Sequence, residues 1–340
     1  MKKKTTGEST HSPEKKTLLV TGAGGALARL ATKVLATKYN LIGVDPRPLS
    51  SNHHFPGDFF QIDYHHRQMT EVFRNHKIHA LIHLGRIRAD TRTSANFRFE
   101  MNVIGTQKLL ELSRAHGVEH LVVLSTYHVY GAHRHNHSYL TEDEPLRASQ
   151  TFPELADAVE LDHAASTFLW RYPEVRTTIL RPVNIIGKHV KNTICQMLRG
   201  GFCPQLIGYD PLMQFIDEKD MARALILALD QPIRGVFNVA GEGVLPYSKA
   251  IQLAGALPVP VPGFVGYPAV KILASLGLGF PPHLLEYFRY QTVVADDAFR
   301  KSFGFVPKVS DPISLAALKS QRNPVVEQFL QGRQRKDSDS

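Results

Sequence analysis

Three glycines and one aspartate near the start of the chain have the residue types and the spacing of a phosphate and ribose site. Gly22, Gly24 and Gly25 lie between a short apolar run and a segment whose apolar residues recur at helical spacing. Glycine suits this turn because the backbone must bend sharply and approach a pyrophosphate closely, while the next helix directs its free N–H groups at the phosphates. Asp45 ends a second apolar run about 20 residues later, where a carboxylate accepts both hydroxyls of an adenosine ribose. The sequence therefore predicts a dinucleotide-binding βαβ unit.

The elements that would position these residues alternate along the first half of the chain. Predicted strands lie at 18–20, 41–44, 59–62, 80–84, 121–124 and 177–180, and predicted helices begin near residues 26, 67, 97 and 154. Strict alternation implies right-handed crossovers and a parallel sheet with helices on both faces, so the fold class is α/β with a doubly wound sheet. Ligands bind such folds in the crevice at the carboxyl ends of the strands.

The change in this pattern along the chain predicts four regions. Beyond residue 187 the alternation gives way to short strands and proline-punctuated helices, which indicates a small C-terminal substrate lobe over the carboxyl edge of the sheet. Both ends are hydrophilic and have no periodicity, which is typical of disordered tails. The predicted regions are a basic tail at 1–16, a cofactor-binding domain at 17–187, a substrate lobe at 188–325 with segments that return to the core, and a tail at 326–340.

The net charge of +9 does not predict a nucleic-acid-binding surface. The first sixteen residues hold a net +3 and the last ten a net +1, so the body of the 340-residue chain carries only +5. That charge is too dilute for a basic patch of the kind that binds nucleic acid. Two cysteines, Cys195 and Cys203, and a basic start without an apolar leader favour a reducing compartment, and we expect a cytoplasmic protein.

The segment from Val259 to Phe280 is more apolar than a sugar nucleotide needs. It is interrupted by prolines and by Lys271, so it does not predict a membrane span. Three interpretations stay open: the core of the lobe, the face of a homodimer, or a surface for a lipid-like substrate or the edge of a membrane. In the last case the basic tails would add peripheral membrane contact.

The histidines do not predict a metal site. His133, His135 and His137 recur every second residue in an irregular polar stretch. Metal ligands usually come with a positioned fourth group and with further residues that orient them. We therefore expect a solvated loop and no metal.

Several motifs together resemble the extended short-chain dehydrogenase/reductase family, in particular its NAD-dependent epimerases and dehydratases of nucleotide sugars. The matching segments are TGAGGALA at 21–28, NVIGT at 102–106, STYHVYG at 125–131, RPVNIIG at 181–187 and FIDEKD at 215–220. In the first of these, Ala28 stands where the family has its third glycine, a place that only has to permit close packing of helix against sheet. FNVAGEGVL at 237–245 and PVPVPGF at 258–264 look like a bacterial subgroup, similar to UDP-glucose 4-epimerases, whose active-site pattern is atypical.

This resemblance implies a Rossmann sheet, a nicotinamide cofactor and a small-molecule substrate such as a nucleotide sugar. The cofactor contacts that the motifs imply are Gly22, Gly24, Gly25, Ala26, Leu27, Asp45, Asp63, His83, Leu84, Gly85 and Asn102. On the substrate side the resemblance implies Asn184, while Lys188 adds charge. Arg86, together with Arg88 and Arg92, follows the fourth strand and could meet the diphosphate of a nucleotide sugar or form a solvated basic loop.

Charge at the end of the second strand bears on the choice of cofactor. Asp45 would repel the 2′-phosphate of NADP, whereas Arg47 could attract it. We expect NAD, with NADP less favoured.

The chain departs from the family at the residues that move protons. The family uses Tyr-x-x-x-Lys on the helix after the long loop, where the lysine lowers the pKa of the phenol, normally about 10. Here the two possible registers place Phe152 and Ala156, or Glu154 and Ala158, in those two positions.

Two hypotheses follow from this departure. In the first, Thr126 hydrogen-bonds the substrate, and Tyr127, His128 or Glu154 transfers the proton in an epimerase or oxidoreductase. In the second, the chain binds NAD without turnover and acts as a regulatory or binding module. Each candidate also has a purely structural interpretation: Thr126 could cap local backbone, and Glu154 could complement a helix N-terminus.

Overall fold

Seven parallel strands form the central sheet of this protein. The structure is a computed structural model that describes residues 15–51, 54–88, 93–262, 282–324 and 326–328. In that sheet the strand order is β11-β6-β5-β4-β1-β2-β3. The strands are β1 Thr17–Thr21, β2 Asn40–Val44, β3 Asp58–Phe60, β4 Ala80–His83, β5 His120–Leu124, β6 Arg176–Pro182 and β11 Gly235–Val239. The chain order reverses between β1 and β4, which is where doubly wound sheets open a ligand crevice.

Helices cover both faces of the sheet and continue into the lobe. They are α1 Ala26–Leu35, α2 Gln68–Asn75, α3 Ala95–Phe99, α4 Gly105–Ala115, α5 Ala148–Thr151, α6 Ala156–Arg171, α7 Thr193–Gly200, α8 Glu218–Asp230, α9 Tyr247–Leu253, α10 Asp297–Phe303 and α11 Asp311–Ala317. A π-helical turn, Glu100–Ile104, joins α3 to α4, and short 3₁₀ turns lie at Tyr127–Tyr130, Pro153–Leu155, Pro282–Phe288 and Leu318–Gln321.

Three clusters of buried apolar side chains form the core. One lies between the sheet and the layer of α1 and α8, and the second between the sheet and the layer of α2, α4 and α6. The third belongs to the lobe and joins α7, α9 and α11. Parallel strands covered on both faces have continuous apolar sequences. The strands of the first half of the chain could therefore be predicted from the sequence.

The lobe contains short strands near Leu206 and Phe215, as the sequence predicts, and further strands that the sequence did not reveal. Three two-stranded sheets pair β10 Phe215–Asp217 with β7 Asn184–Ile186, β12 Leu245–Pro246 with β9 Leu212–Met213, and β13 Leu257–Val261 with β8 Phe202–Leu206. The prediction of proline-punctuated helices is wrong at β13, which is extended. Pro258 and Pro260 alternate there, so both can turn their missing N–H away from β8, while Leu257 donates to the carbonyl of Gly201 at 2.8 Å.

Asp217 and Asp220 fasten the lobe to the sheet domain. Asp217 caps α8 by accepting the N–H of Lys219 at 2.8 Å, and its other oxygen accepts the hydroxyl of Ser314 on α11. Asp220 accepts the N–H groups of Lys308 and Val309, each at 2.8 Å. Both carboxylates are buried and therefore hold two segments of the lobe at the start of one helix.

Some sequence expectations lie outside the described residues. These are most of both predicted tails, Arg92, and the part of the apolar segment from 263 to 281. Within the described ranges, no helix combines the length and the apolar character needed to cross a bilayer. Cys195 and Cys203 are both buried free thiols, and burial raises their pKa values to about 11 and about 12.

Candidate functional site

One cavity of about 960 Å³ opens at the carboxyl ends of the central strands. The loops after β1, β2, β4, β5 and β6 all contribute to its wall, and the lobe contributes residues from β7 to α7 and from the Pro282–Phe288 turn. A cavity of this size at the switch point of a doubly wound sheet is the expected ligand site of the fold.

The glycine turn after β1 forms the floor of one end of this cavity. Gly22 has a φ of +68°, and a Cβ at this position would lie 2.8 Å from the backbone N of Gly85, so no other residue fits without a shift. The N-cap of α1 is Gly25, and no side chain caps this helix. The first N–H groups of α1 are therefore left for a ligand, as a bound pyrophosphate requires.

Asp45 lies beside the same turn and is fully buried. Its Oδ2 accepts the N–H of Gly24 at 3.0 Å, which fixes the carboxylate against the glycine turn. Arg47 donates from its backbone N and from Nε to Oδ1, both at 3.0 Å, and from Nη2 to Oδ2 at 3.2 Å. Asp45 is thus fixed beside the glycine turn, and Arg47 is bound to it by a two-pronged ion pair.

Most of the predicted cofactor residues line the cavity. Those that do are Gly22, Gly24, Gly25, Ala26, Leu27, Asp45, Leu84 and Gly85. Asp63, His83 and Asn102 are not in its wall. Asp63 is half-buried next to Tyr64, and the other two residues are buried beneath the cavity.

His83 ties the sheet to α4 through a chain of hydrogen bonds. Its Nδ1 lies 2.6 Å from the hydroxyl of Thr21 and its Nε2 lies 2.9 Å from that of Thr106. Thr106 donates its own proton to the carbonyl of Asn102, so it accepts from Nε2–H, and Thr21 donates to Nδ1. Burial lowers the pKa of His83 to about 4, so the ring is neutral and serves as a fixed strut.

Asn102 lies in the π-helical turn and joins three parts of the site. It accepts the N–H of Ile87 at 2.8 Å and donates to the carbonyl of the same residue at 2.7 Å, which holds the loop after β4. It also donates to the carboxylate of Asp157 on α6. The extra residue of a π turn shifts a side chain along the helix surface, which is common at functional sites.

Thr126, Tyr127 and His128 line the cavity together after β5. Thr126 is the N-cap of the 3₁₀ turn: its Oγ1 accepts the N–H of His128 at 3.4 Å and lies 3.0 Å from Nδ1 of the His128 ring. Tyr127 is buried and hydrogen-bonded to Asn184, and burial raises the pKa of its phenol well above the usual 10. The structural interpretation of Thr126 as a cap is therefore realised, while its side chain also faces the cavity.

Helix α6 presents Asp157 and Ala158 to the cavity, and neither is a tyrosine or a lysine. Glu154 is exposed and lies outside the cavity wall. The setting of α6 is fixed one turn further on, where Asp162 pairs with Arg181 at 2.7 Å and accepts the hydroxyl of Ser125. This buried pair places Ala158 against the cavity.

The substrate side of the cavity is basic. Asn184 and the exposed Lys188 line it, and Asn184 also donates to the carbonyl of Gln214 at 3.2 Å. Arg86 and Arg88 line the cavity from the loop after β4, and Arg88 donates from Nη2 to the carbonyl of Lys191 at 2.8 Å, which connects that loop to the lobe. The basic residues of the wall are Arg29, Arg47, Arg86, Arg88, His128, Lys188, His189 and Lys191, against the two acids Asp45 and Asp157.

Sequence reasoning missed several residues of this wall, among them Tyr64, His189 and Tyr287. Tyr64 is buried and donates to the carbonyl of Gly85 at 2.6 Å, so it supports the cavity floor. His189 pairs through Nδ1 with the buried Glu218 at 2.7 Å. Tyr287 reaches the site from the lobe and donates to the carbonyl of His128 at 2.7 Å. Tyr64 follows directly after Asp63 and His189 lies next to Lys188, whereas no local pattern marks Tyr287.

Metal ligands are not grouped in this site. Among the residues whose placement is described, no three or more His, Cys, Asp or Glu side chains come together in a way that could hold an ion. His133, His135 and His137 do not change this, and His137 pairs instead with Glu144.

Comparison with known proteins shows which families, sequences and structures this chain is similar to. Residues 18–240 match the model of the NAD dependent epimerase/dehydratase family. An uncharacterised protein of Mycobacterium tuberculosis is 32% identical over 314 residues, which cover 88% of this chain and 82% of that one. The UDP-glucose 4-epimerase of Yersinia pestis is 28% identical over 288 residues, or 82% of this chain and 74% of the enzyme. The structure of the Thermotoga maritima UDP-glucose 4-epimerase with UDP-glucose has a TM-score of 0.71 at 20% identity, covering 89% of this chain and 97% of that one, which is a likeness of fold.

Proposed function

Because the chain belongs to the NAD-dependent epimerase/dehydratase family, we propose that it is an oxidoreductase of the epimerase or dehydratase type with an atypical active site, acting on a nucleotide sugar or a similar alcohol. One observation carries the proposal. A single cavity contains the glycine turn, Asp45, the hydroxyl of Thr126 and a basic wall. A cofactor and an anionic alcohol can therefore meet at Thr126.

NAD, the cofactor of the family, suits the residues at the glycine end. The uncapped N-terminus of α1 and the close backbone approach at Gly22 suit a pyrophosphate, and the carboxylate of Asp45 suits a ribose diol. Hydride acceptance from a substrate carbon is the chemistry that NAD supplies when bound. This chain's own residues bind it, orient it and exchange the substrate proton.

The basic wall supports an anionic substrate. Arg86, Arg88 and Lys188 come from two different parts of the chain and line the same side of the cavity. Guanidinium and ammonium groups bind a diphosphate through charge-assisted hydrogen bonds, and a cleft of one sign also raises the local concentration of an anion. The curated relative from Yersinia pestis is a UDP-glucose 4-epimerase, which makes UDP-sugars the first substrates to test.

The test is a panel of UDP- and TDP-linked sugars added to the full chain with NAD. We expect at least one member to change the absorbance of the nicotinamide or to be converted to an epimer, a keto sugar or a dehydrated product. Arg88→Met should raise KM for that substrate at least tenfold and leave NAD affinity within twofold, because its guanidinium lies on the substrate side. Turnover of neutral alcohols in preference to every anionic sugar would contradict the assignment of substrate class.

A second candidate is a module that binds NAD without turnover. This candidate is favoured by the residues of α6. The family carries its proton-transferring Tyr and Lys on the corresponding helix, whereas here α6 brings Asp157 and Ala158 to the cavity. Tight binding of NAD together with silence across the whole panel would support this candidate over the enzyme. Failure to bind NAD at all would contradict both.

A further inference from the structure

The geometry points to His128 as the group that exchanges the substrate proton, held in a defined tautomer by Thr126. This inference rests on the proposed function and goes beyond it. It assigns to a histidine the proton transfer that a tyrosine on the corresponding helix performs in the family.

His128 is fixed on several sides at the point where the cavity passes Thr126. Its ring centroid lies 4.3 Å from that of Tyr127 and 4.7 Å from that of Tyr287, which meets it nearly edge-on. Tyr287 also donates to the carbonyl of His128 at 2.7 Å, so the lobe holds both the ring and its backbone. The histidine is half-buried and lines the cavity. A ring held in this way keeps its orientation toward a ligand at low entropic cost.

The contacts of Thr126 suit the tautomer of His128 that carries its proton on Nδ1. Oγ1 of Thr126 accepts the backbone N–H of His128 at 3.4 Å with one lone pair and lies 3.0 Å from Nδ1. If Nδ1 carries the proton, Oγ1 accepts it with its second lone pair, and the threonine O–H is left to donate to a substrate oxygen. Nε2 of His128 then has the lone pair that takes up a proton. One pair of residues thus supplies both the donor and the base.

The other candidates in the wall fit the role less well. Among the described residues, Tyr127 and Tyr287 pack on the ring, and burial raises the pKa of each phenol, so both are neutral near pH 7. His189 is engaged by Glu218, and Asp157 by Asn102. An imidazole has an ordinary pKa of about 6.5, which suits proton exchange near neutrality.

The step balances in both directions. The O–H proton of the substrate alcohol passes to Nε2 of His128, and the imidazole becomes an imidazolium. A bound oxidised nicotinamide would accept the hydride that leaves the carbon as the carbonyl forms. In the reverse direction the imidazolium returns the proton to the oxygen as the carbon regains a hydride. The rate of oxidation should therefore rise with pH through the pKa of His128 and then level off.

The first test reads the tautomer without any turnover. Nitrogen-15 NMR of the full chain labelled on histidine, with NAD present, identifies the His128 signals as those that disappear in His128→Gln. We expect the neutral ring to carry its proton on Nδ1, to keep it in Thr126→Ser and to shift to the Nε2–H form in Thr126→Val. An Nε2–H ring in the wild-type protein, or a ring that does not titrate between about pH 5 and pH 9, would overturn the inference.

The second test reads the reaction. With UDP-glucose and UDP-galactose as probes, His128→Gln should lower the rate of nicotinamide reduction at least 100-fold, as the loss of a general base does, with NAD affinity unchanged within twofold. His163→Gln, which removes an exposed histidine of α6, is the matched control and should keep the wild-type rate. A large loss in Tyr127→Phe with near-normal rates in His128→Gln would overturn the inference. If the wild-type protein reduces nothing, the proposed function fails, and the tautomer measurement alone decides the role of His128.

Discussion

Asp311 should make this protein less stable at neutral pH than at mildly acidic pH. It is the first residue of α11, its side chain is 3% exposed, and neither carboxylate oxygen accepts a hydrogen bond of good geometry from the described residues. Burial raises the pKa of this carboxyl from 3.8 to about 7, and the nearby charge of Glu242 adds to the rise. The backbone N–H of Gly243 acts in the opposite direction and lowers the pKa. A buried carboxylate without a partner is costly, so the folded chain holds on to the proton.

The size of the effect follows from the pKa. A rise from 3.8 to about 7 corresponds to about 4 kcal/mol, at 1.36 kcal/mol for each pH unit between the two values. Because the folded-state pKa is the higher one, this stabilisation is complete below about pH 4 and is lost as the pH rises through about 7. Replacement by asparagine removes the titration and keeps the shape of the side chain. Above pH 7, Asp311→Asn should therefore be more stable than the wild type, with about 4 kcal/mol as the upper limit.

Urea denaturation of both proteins from pH 4.5 to 8.5 measures this effect as a difference, so that the titration of all other groups cancels. The free energy of unfolding of Asp311→Asn minus that of the wild type should increase steadily up to about pH 7 and then stay level. Asp297→Asn is the matched control, since Asp297 is the exposed first residue of α10. A difference that is the same at every pH would refute the reasoning.

Three further predictions concern the cofactor turn and the lobe. Gly22→Ala should abolish NAD binding measured by calorimetry, because its Cβ would lie 2.8 Å from the backbone N of Gly85, and wild-type affinity would contradict the described turn. Asp45→Ala should weaken NAD binding at least tenfold, and unchanged or tighter binding would contradict the ribose assignment. Arg322→Met should lower the free energy of unfolding by about 3 kcal/mol in urea, because it leaves buried carbonyls without donors, and Arg322→Lys should not restore it. The carbonyls that accept from this guanidinium are those of Leu198, Arg199, Ala254 and Gly255.

The sheet domain was predictable because its signals are local. The strand cores and the glycine turn were readable from short apolar runs and from glycine spacing, and the family motifs agreed with them. Boundaries were less accurate: β3 spans Asp58–Phe60, whereas the prediction extended it to Ile62. In the lobe, the short strands near Leu206 and Phe215 were also predicted. The other lobe strands have two to five residues and form only because another segment lies beside them, which no single-segment pattern shows.

The candidate site was predictable in part for the same reason. Gly22, Asp45 and Thr126 lie in motifs, and the structure brings all three to one cavity. Tyr287 reaches His128 from 159 positions away along the chain, a contact that only the tertiary structure reveals. The absence of the family's Tyr and Lys was visible in the sequence. The exposure of Glu154 in the 3₁₀ turn before α6, and the contact of Asp157 on α6 with Asn102, are seen only in the structure.

The pairing of β11 with β6 means that the cofactor-binding half is not one uninterrupted stretch of the gene. The chain leaves the sheet after Pro182 and supplies the outer edge strand only at Gly235–Val239. A chimera with a single junction near residue 187 would contain the glycine turn of this protein but not this strand. The edge of β6 would then present a row of unpaired backbone groups, which promotes aggregation. Exchange of lobes between relatives, in nature or by design, therefore has to keep α8 and Gly235–Val239 together with the sheet domain.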